Sequence, residues 1–430
     1  MNRRDRESAR SWYEATRRYR IDAGRIDGEL QADVVVIGGG LTGASAALCL
    51  AERGVRVALL ESRFFGWGAS GRSGGQIIAG YSCDQRVLEK LAGLDTAREL
   101  WEHSLAALDY TRERVRRHGI DCDLRSGYLH VGVKQRHARE LAEWAEHLER
   151  VYGYPALVYH DGGALRARLQ SNLYQAGVSD FQSGHLHPLN YTLGMVKAAG
   201  DAGAALYEDA TVNRVVDGSG GASVVETDGG RIRCDCVVYA CNAYLDRLHP
   251  GLRRLIMPVG TYIIATEPLG ERVAGELIPG GAAVADTNFV LDYYRLSADT
   301  RLLFGGRVSY STLEPIRLRE SLERRMLRVF PQLAGTGVEF TWGGFVAITR
   351  NRAPHIGRLP GNAYHAQGYS GQGMALAGYA GSLLADAVMG ERDGLACFGR
   401  IPHKAFPGGP MMRKPALVAA MAYHRLLDKL

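Results

Sequence analysis

Cysteine is scarce in this chain and badly spaced for holding a metal. The seven cysteines (Cys49, Cys83, Cys122, Cys234, Cys236, Cys241 and Cys397) are odd in number and scattered, with no C-x-x-C pair. That excludes a disulfide scaffold and a zinc site and points to reduced thiols in a reducing compartment. Long apolar runs are also missing: none approaches the ~18 residues a bilayer-spanning helix needs. The first twenty residues have many arginines but no apolar core, and they carry Asp5, Glu7 and Glu14, unlike a secretory signal or a transit peptide. The expected location is the cytoplasm. No charge sign dominates: 52 basic against 46 acidic residues leave a net +6, too little for a nucleic-acid footprint. Proline is sparse (14) against 54 glycines, which suits tight loops beside a ligand. What remains is an ordinary globular composition, 46% hydrophobic and 23% charged, over 430 residues. That length exceeds one core, so two domains are expected.

The most informative stretch is Asp33 to Gly43, DVVVIGGGLTG. Four apolar residues, Val34 to Ile37, read as a buried strand that runs straight into G-x-G-x-x-G at Gly38, Gly40 and Gly43. Ala44 to Arg53 reads as a helix stopped by Gly54, and Val55 to Leu60 as a second buried strand ending on Glu61. In a dinucleotide site the first glycine permits the tight turn, the second lets a pyrophosphate approach the backbone, and the third lets helix and strand pack closely. Leu41 and Thr42 open the helix, whose N-terminus offers N–H groups to phosphate. Glu61 stands 18 residues past Gly43, near the spacing of about 20 for an acid that binds ribose hydroxyls.

Two more glycine-rich segments follow. Residues 62–82 hold Ser62, Arg63, Gly66, Gly68, Ala69, Ser70, Gly71, Arg72, Ser73, Gly74, Gly75 and Gln76 among Phe64, Phe65, Trp67, Ile77 and Ile78. A flexible linker would not carry so many large apolar groups, so this loop reads as a ligand wall. Near the C-terminus, Gly368, Tyr369, Gly371, Gln372, Gly373 and Met374 open a helix that closes at Gly390, a second loop feeding a helix N-terminus. Between them, helices are expected over 96–118, 135–151, 190–202 and 314–330, and strands over 128–133, 258–268 and 338–349. A hairpin is expected around residues 297–300. Ser223–Thr227 and Arg231–Tyr239 read as two arms of another hairpin. Its second arm runs into the small-residue turn Ala240-Cys241-Asn242-Ala243, which would pass close to a cofactor. The tail from Pro402 reads as a turn and a short amphipathic helix, expected to dock on its own chain, with a membrane surface or a partner as the alternative.

Taken together, GGGLTG with Glu61, GWGASGRSGGQ and GYSGQGM resemble the D-amino-acid-oxidase-like superfamily of FAD oxidoreductases. Within it, the DYYRLSADTRLLFGG hairpin and the PHKAFPGG tail are similar to those of gamma-glutamylputrescine oxidoreductases. The resemblance implies an α/β fold, with a Rossmann-like FAD-binding domain of glutathione-reductase type and a substrate domain built on a mainly antiparallel mixed sheet. It implies FAD-binding segments 1–95, 196–255 and 338–430, and substrate-domain segments 96–195 and 256–337. Gly38, Gly40, Leu41, Thr42, Gly43, Glu61, Ser62 and Arg63 would hold the ADP half. Gly68 to Ser70 and Arg72 to Gln76 would line the pyrophosphate and isoalloxazine, and Val212 the adenine side. Ala240 and Asn242 would approach the cofactor, and Gly368, Tyr369 and Gly371 to Met374 would run beside the flavin pyrimidine edge. The late loop has no cysteine, so the FAD would be non-covalent.

The implied reaction is amine oxidation: hydride transfer from an amine C–H to flavin N5, imine hydrolysis to aldehyde and ammonia, and reoxidation by dioxygen or another acceptor. No side chain is assigned as acid or base. The arginine and lysine that sarcosine-oxidase-like relatives place near the Gln76 and Ala375 positions are absent, which argues against an α-carboxylate clamp. The expected substrate is gamma-glutamylputrescine or a related gamma-glutamylated amine, and the alternative is a pipecolate- or sarcosine-like amino acid. Gln76, Tyr262, Tyr294, Arg295, Arg307 and the His185/His187 pair are the candidate substrate residues. A monomer or homodimer is expected, with no nucleic-acid partner.

Overall fold

The computed structural model describes residues 11–217, 222–288, 290–309, 317–391 and 394–407. Side chains at 217 and 307–309, and so the candidate Arg307, lie outside the described residues, as do 314–316 and the expected tail helix. Three sheets organise these residues. The six-stranded sheet runs His355–Leu359, Ala363–Gln367, Cys236–Tyr239, Val34–Ile37, Val57–Leu60, Ala205–Tyr207, and all its pairings except the first are parallel. Val34 to Ile37 are all buried because both faces of their sheet are covered. This is why the strand reads as an unbroken apolar run. Each such side chain contributes about 2 kcal/mol by leaving water.

On one face the helix Leu41–Ala51 packs against the helices Pro188–Asp201 and Met374–Val388. All eleven of its residues are buried, so it has no polar stripe to display. Small side chains bring two of these helices close: a Cβ added at Gly381 would overlap the Thr42 carbonyl oxygen. The other face is closed by the four-stranded sheet of Gly28–Gln31, Gly230–Cys234, Ser223–Thr227 and Val212–Asp217.

The nine-stranded sheet follows the order Val338–Ile348, Met257–Thr266, Leu302–Ser309, Tyr293–Leu296, Ala283–Asp286, Arg125–Gly132, Ala176–His185, Gln76–Ile77, with Leu157–Asp161 beside Ala176–His185. Every pairing is antiparallel except Ala283–Asp286 with Arg125–Gly132. One face carries Tyr262, Ile264, Tyr294, Leu302 and Phe304 against the helix Leu318–Val329. The other carries Ile263, Ala265, Leu303 and Trp342 into the core shared with the helix Leu41–Ala51.

One expectation changes. The run Arg231–Tyr239 is not one hairpin arm but two strands, Gly230–Cys234 and Cys236–Tyr239, in different sheets. The chain crosses at Asp235, where Asp33 O accepts from both Asp235 N and Cys236 N. Cys234 and Cys236 therefore lie in separate cores. Strands Gln76–Ile77 and Val338–Ile348 fall in segments expected to bind FAD, yet they pair in the nine-stranded sheet. The helix expected over 314–330 is present over Leu318–Val329, and the start of its expected range, 314–316, lies outside the described residues. All seven cysteines are free thiols.

The segment from Pro402 to Phe406 is tied back to the body by Asn351 Nδ2 donating to Pro402 O (3.0 Å) and Phe406 N donating to Arg254 O (3.2 Å). There His403 packs with two more imidazoles, one contact tilted and the next edge-on. His355 lies 4.6 Å from His403 and 4.2 Å from His365 between ring centroids. Burial holds His355 down to about 3 and His403 to about 4, and it pushes His365 well below its usual value with help from His355. These rings are neutral when folded but protonate near pH 6.5 when unfolded. Their contribution is therefore complete above about pH 6.5 and is lost as pH falls below it, at about 1.4 kcal/mol per unit for each ring. Thermal melting should drop steeply between about pH 6 and 4, and His403→Gln should flatten that slope. An identical slope in the variant would refute the assignment.

Candidate functional site

Three adjacent parallel strands end side by side at one edge of the six-stranded sheet. Val34–Ile37 delivers Gly38 to Gly43, Cys236–Tyr239 delivers Ala240 to Asn242, and Ala363–Gln367 delivers Gly368 to Met374. On the far side of the first, Val57–Leu60 delivers Glu61. The carboxyl edge of such a sheet is where this architecture binds ligands.

The first turn is built for close approach. Gly38 has φ +113°, and a Cβ there would stand 2.7 Å from Ala240 O. A Cβ at Gly43 would overlap the Gly38 carbonyl oxygen, so helix and strand can meet only through glycine. Gly39, which the G-x-G-x-x-G pattern leaves free, is equally constrained: its Cβ would overlap the Phe65 ring. Glu61 is buried, and Gly39 N donates to its Oε2 at 2.9 Å while Arg63 N (2.9 Å) and Ser62 Oγ (3.2 Å) donate to Oε1. Burial raises its pKa and these donors oppose the rise. The acid thus braces the glycine turn.

The second loop is stitched to the first and third. Leu41 N donates to Ser70 Oγ (2.9 Å), and Ser73 Oγ donates to the Met374 sulfur (3.1 Å). Arg72 donates through Nε to Trp67 O (2.7 Å) and through Nη1 to Gly343 O (3.3 Å), and its guanidinium lies 5.1 Å from the centre of the Trp67 ring. Gly68 faces the Tyr244 ring, and Gly74 faces that of Tyr293. Gln76 Nε2 donates to Val284 O (3.0 Å). In the third loop Gly368 N donates to Asn242 Oδ1 (3.0 Å), Tyr369 and Thr42 share a buried hydroxyl–hydroxyl bond of 2.7 Å, and Gln372 Nε2 donates to Ala79 O (3.1 Å). All three glycine segments of the sequence are therefore joined. Val212 stands apart, at the start of a strand in the four-stranded sheet, half-buried beside the core that holds Ile37 and Leu60.

The nominated substrate residues fare differently. Tyr262 and Tyr294 point to the face of the nine-stranded sheet turned away from the glycine loops. Tyr294 stacks on Phe304 and bonds Tyr174 Oη at 3.0 Å. The two-residue side-chain period puts their neighbours Thr261 and Tyr293 on the loop face instead, where their hydroxyls bond at 2.9 Å. Arg295 is on that face but buried, donating to Gly74 O (2.8 Å), Leu186 O (3.0 Å), Leu296 O (3.2 Å) and Tyr13 Oη (3.3 Å). It is a brace, with its donors engaged. His185 Nε2 bonds Gly281 O (2.9 Å) and His187 caps the helix Pro188–Asp201 through Nδ1. Burial holds both near 3, hence neutral. Tyr293, on the same strand as Tyr294 but not among the candidate substrate residues, is the tyrosine that alternation puts on the loop face.

A family model described as "FAD dependent oxidoreductase" matches residues 33–387. The chain belongs to this family of FAD-dependent oxidoreductases. It is 39% identical over 425 residues to the gamma-glutamylputrescine oxidoreductase of Escherichia coli, covering 99% of both chains. It is also 39% identical over 427 residues to a probable oxidoreductase, OrdL, of Haemophilus influenzae, covering 98% of each. Its fold matches the crystal structure of glycine oxidase from Geobacillus kaustophilus with a TM-score of 0.74 at 23% identity, over 86% of this chain and 98% of that one. It is an oxidoreductase acting on amines, with FAD as its cofactor. No helix among the described residues is long and apolar enough to cross a membrane.

The residues fit FAD. Gly38, Gly39 and Gly43 are held by close packing on Ala240, Phe65 and the Gly38 carbonyl, which seats the helix start at the carboxyl edge of the sheet, and Gly371 of the late loop faces open space. Helix-opening N–H groups, which lack partners within their own helix, suit a diphosphate. Gly43→Ala should yield colourless protein, or protein destabilised by about 3 kcal/mol, as read by flavin absorbance and thermal melting. Normal flavin content would contradict the close-packing account.

Proposed function

We propose that this chain oxidises a gamma-glutamylated amine such as gamma-glutamylputrescine to an aldehyde and ammonia, with dioxygen taking the electrons and yielding hydrogen peroxide. The observation that carries this reading is the near-full-length 39% identity to a protein of that name. The site supports it chemically. Gln76, an amide, stands where an α-carboxylate clamp would need a cation, and Arg295 is engaged with four acceptors. A long substrate would keep its glutamyl carboxylate away from the reacting carbon.

FAD, when bound, supplies the two-electron acceptor. The chain supplies position and desolvation. The loop Ser70–Gln76 and the late loop Gly368–Met374 would hold the ring system, and Tyr293 with Thr261 would form the opposing wall. A site closed to water would disfavour an ammonium and favour the free amine, whose nitrogen lone pair would assist departure of the C–H electrons. Water then hydrolyses the imine. No side chain needs to abstract a proton from carbon. We also propose that the FAD-binding unit comprises the segments carrying the six- and four-stranded sheets, and that the substrate unit carries the nine-stranded sheet, including Val338–Ile348.

Anaerobic mixing with a panel of amines tests the reading. Gamma-glutamylputrescine should bleach the flavin, and in air it should release peroxide in step with aldehyde. Its kcat/KM should rise with pH as the free amine grows, since an unperturbed alkylammonium titrates near about 10. Bleaching by pipecolate or sarcosine alone would establish the amino-acid alternative, and turnover without peroxide would assign another electron acceptor.

A further inference from the structure

The mechanism leaves unused the short helix Trp12–Ala15, whose Trp12 and Tyr13 are buried, Tyr13 against Trp342 and Arg295 of the nine-stranded sheet. Ser11 caps this helix by accepting from Tyr13 N (3.1 Å). Trp12 Nε1 donates to Asp299 Oδ2 (3.2 Å), Thr16 Oγ1 bonds His187 Nε2 (3.0 Å), and Arg18 N donates to Asn190 Oδ1 (2.9 Å). The arm is thus fastened on both sides of Tyr13.

Tyr13 is fully buried and reaches both side chains that hold the flavin-facing loop from behind. Its Oη accepts from Arg295 Nη2 (3.3 Å), and Arg295 Nε donates to Gly74 O (2.8 Å). Its ring meets that of Trp342 edge-on at 5.2 Å, and Trp342 Nε1 donates to Arg72 O (3.1 Å). Two carbonyls of the Arg72–Gly75 turn are therefore held by donors that share one cover. A third bond, Leu186 N to Gly75 O (2.8 Å), is reinforced because Arg295 Nη2 also donates to Leu186 O (3.0 Å).

We propose that Tyr13 is a positioning residue: through Arg295 and Trp342 it sets the conformation of the Arg72–Gly75 turn, and so the environment of the bound flavin. This rests on the reading above that Ser70–Gln76 lines the isoalloxazine. No backbone of the arm needs to touch cofactor or substrate. A locked backbone turn holds groups within the fraction of an ångström that such sites require.

The test uses full-length protein purified with FAD and compares Tyr13→Ala, Tyr13→Phe and Gln76→Glu. A Leu322→Val or Leu322→Ala variant on the far face of the sheet serves as control, chosen to match the melting loss. The readouts are the visible flavin spectrum, the flavin reduction potential and the FAD dissociation constant. Tyr13→Ala should move the spectrum and potential and weaken FAD binding about tenfold, the scale of one buried polar contact plus an aromatic one. Tyr13→Phe, which keeps the ring on Trp342, should restore most of this, and the matched Leu322 variant should leave all three unchanged. If Tyr13→Ala misfolds, Tyr13→Phe, which loses only the bond to Arg295, should still shift the potential in the same direction by a smaller amount. Unchanged flavin properties in the Tyr13 variants, with Gln76→Glu altering them, would overturn the positioning role alone. Unchanged properties in Gln76→Glu as well would overturn both this role and the reading on which it rests.

Discussion

The molecule depends on one intimate contact, the seating of the helix Leu41–Ala51 on the end of the strand Val34–Ile37. Gly43 lies so close to the Gly38 carbonyl that no side chain fits between them. That contact brings a helix N-terminus, with its partial positive charge, to the edge of a parallel sheet. Everything else at the site is arranged around that end: Ser70 meets Leu41 N, Tyr369 meets Thr42, and Glu61 gathers the N–H groups of Gly39 and Arg63.

Buried polar groups do most of the arranging. Arg295 engages four acceptors and Glu61 accepts from three donors. A buried charge is tolerable only when its hydrogen-bonding capacity is met, so each of these side chains fixes several backbone segments at once. His185 and His187 are buried as neutral rings instead. The same chemistry that made Arg295 and His185 attractive as ligands for a carboxylate serves to hold loops.

The nine-stranded sheet shows how one residue of register sends neighbouring side chains to opposite faces. Tyr293 and Tyr294 are neighbours in sequence with the same side chain. One faces the glycine loop and bonds Thr261, while the other stacks on Phe304 behind the sheet. Choosing between them required knowing which face is covered by the helix Leu318–Val329 and which looks toward the helix Leu41–Ala51.

Local signals were enough to identify the first strand, the glycine turns, the helices that follow them and the FAD family, because each depends on residues close in the chain. A tight turn needs glycine, a two-sided strand needs an apolar run, and a helix needs its stop. Sequence alone also marked the three glycine segments, which the fold joins to one another. Only the tertiary structure decided that the three strands preceding the first turn, Ala240 and Gly368 are adjacent. It likewise decided that the run through Asp235 changes sheets, that Arg295 braces a loop, and that Tyr13 lies behind that loop. These outcomes are set by long-range pairing and by which face of a sheet is covered, and a one-residue shift in strand pairing would reverse them.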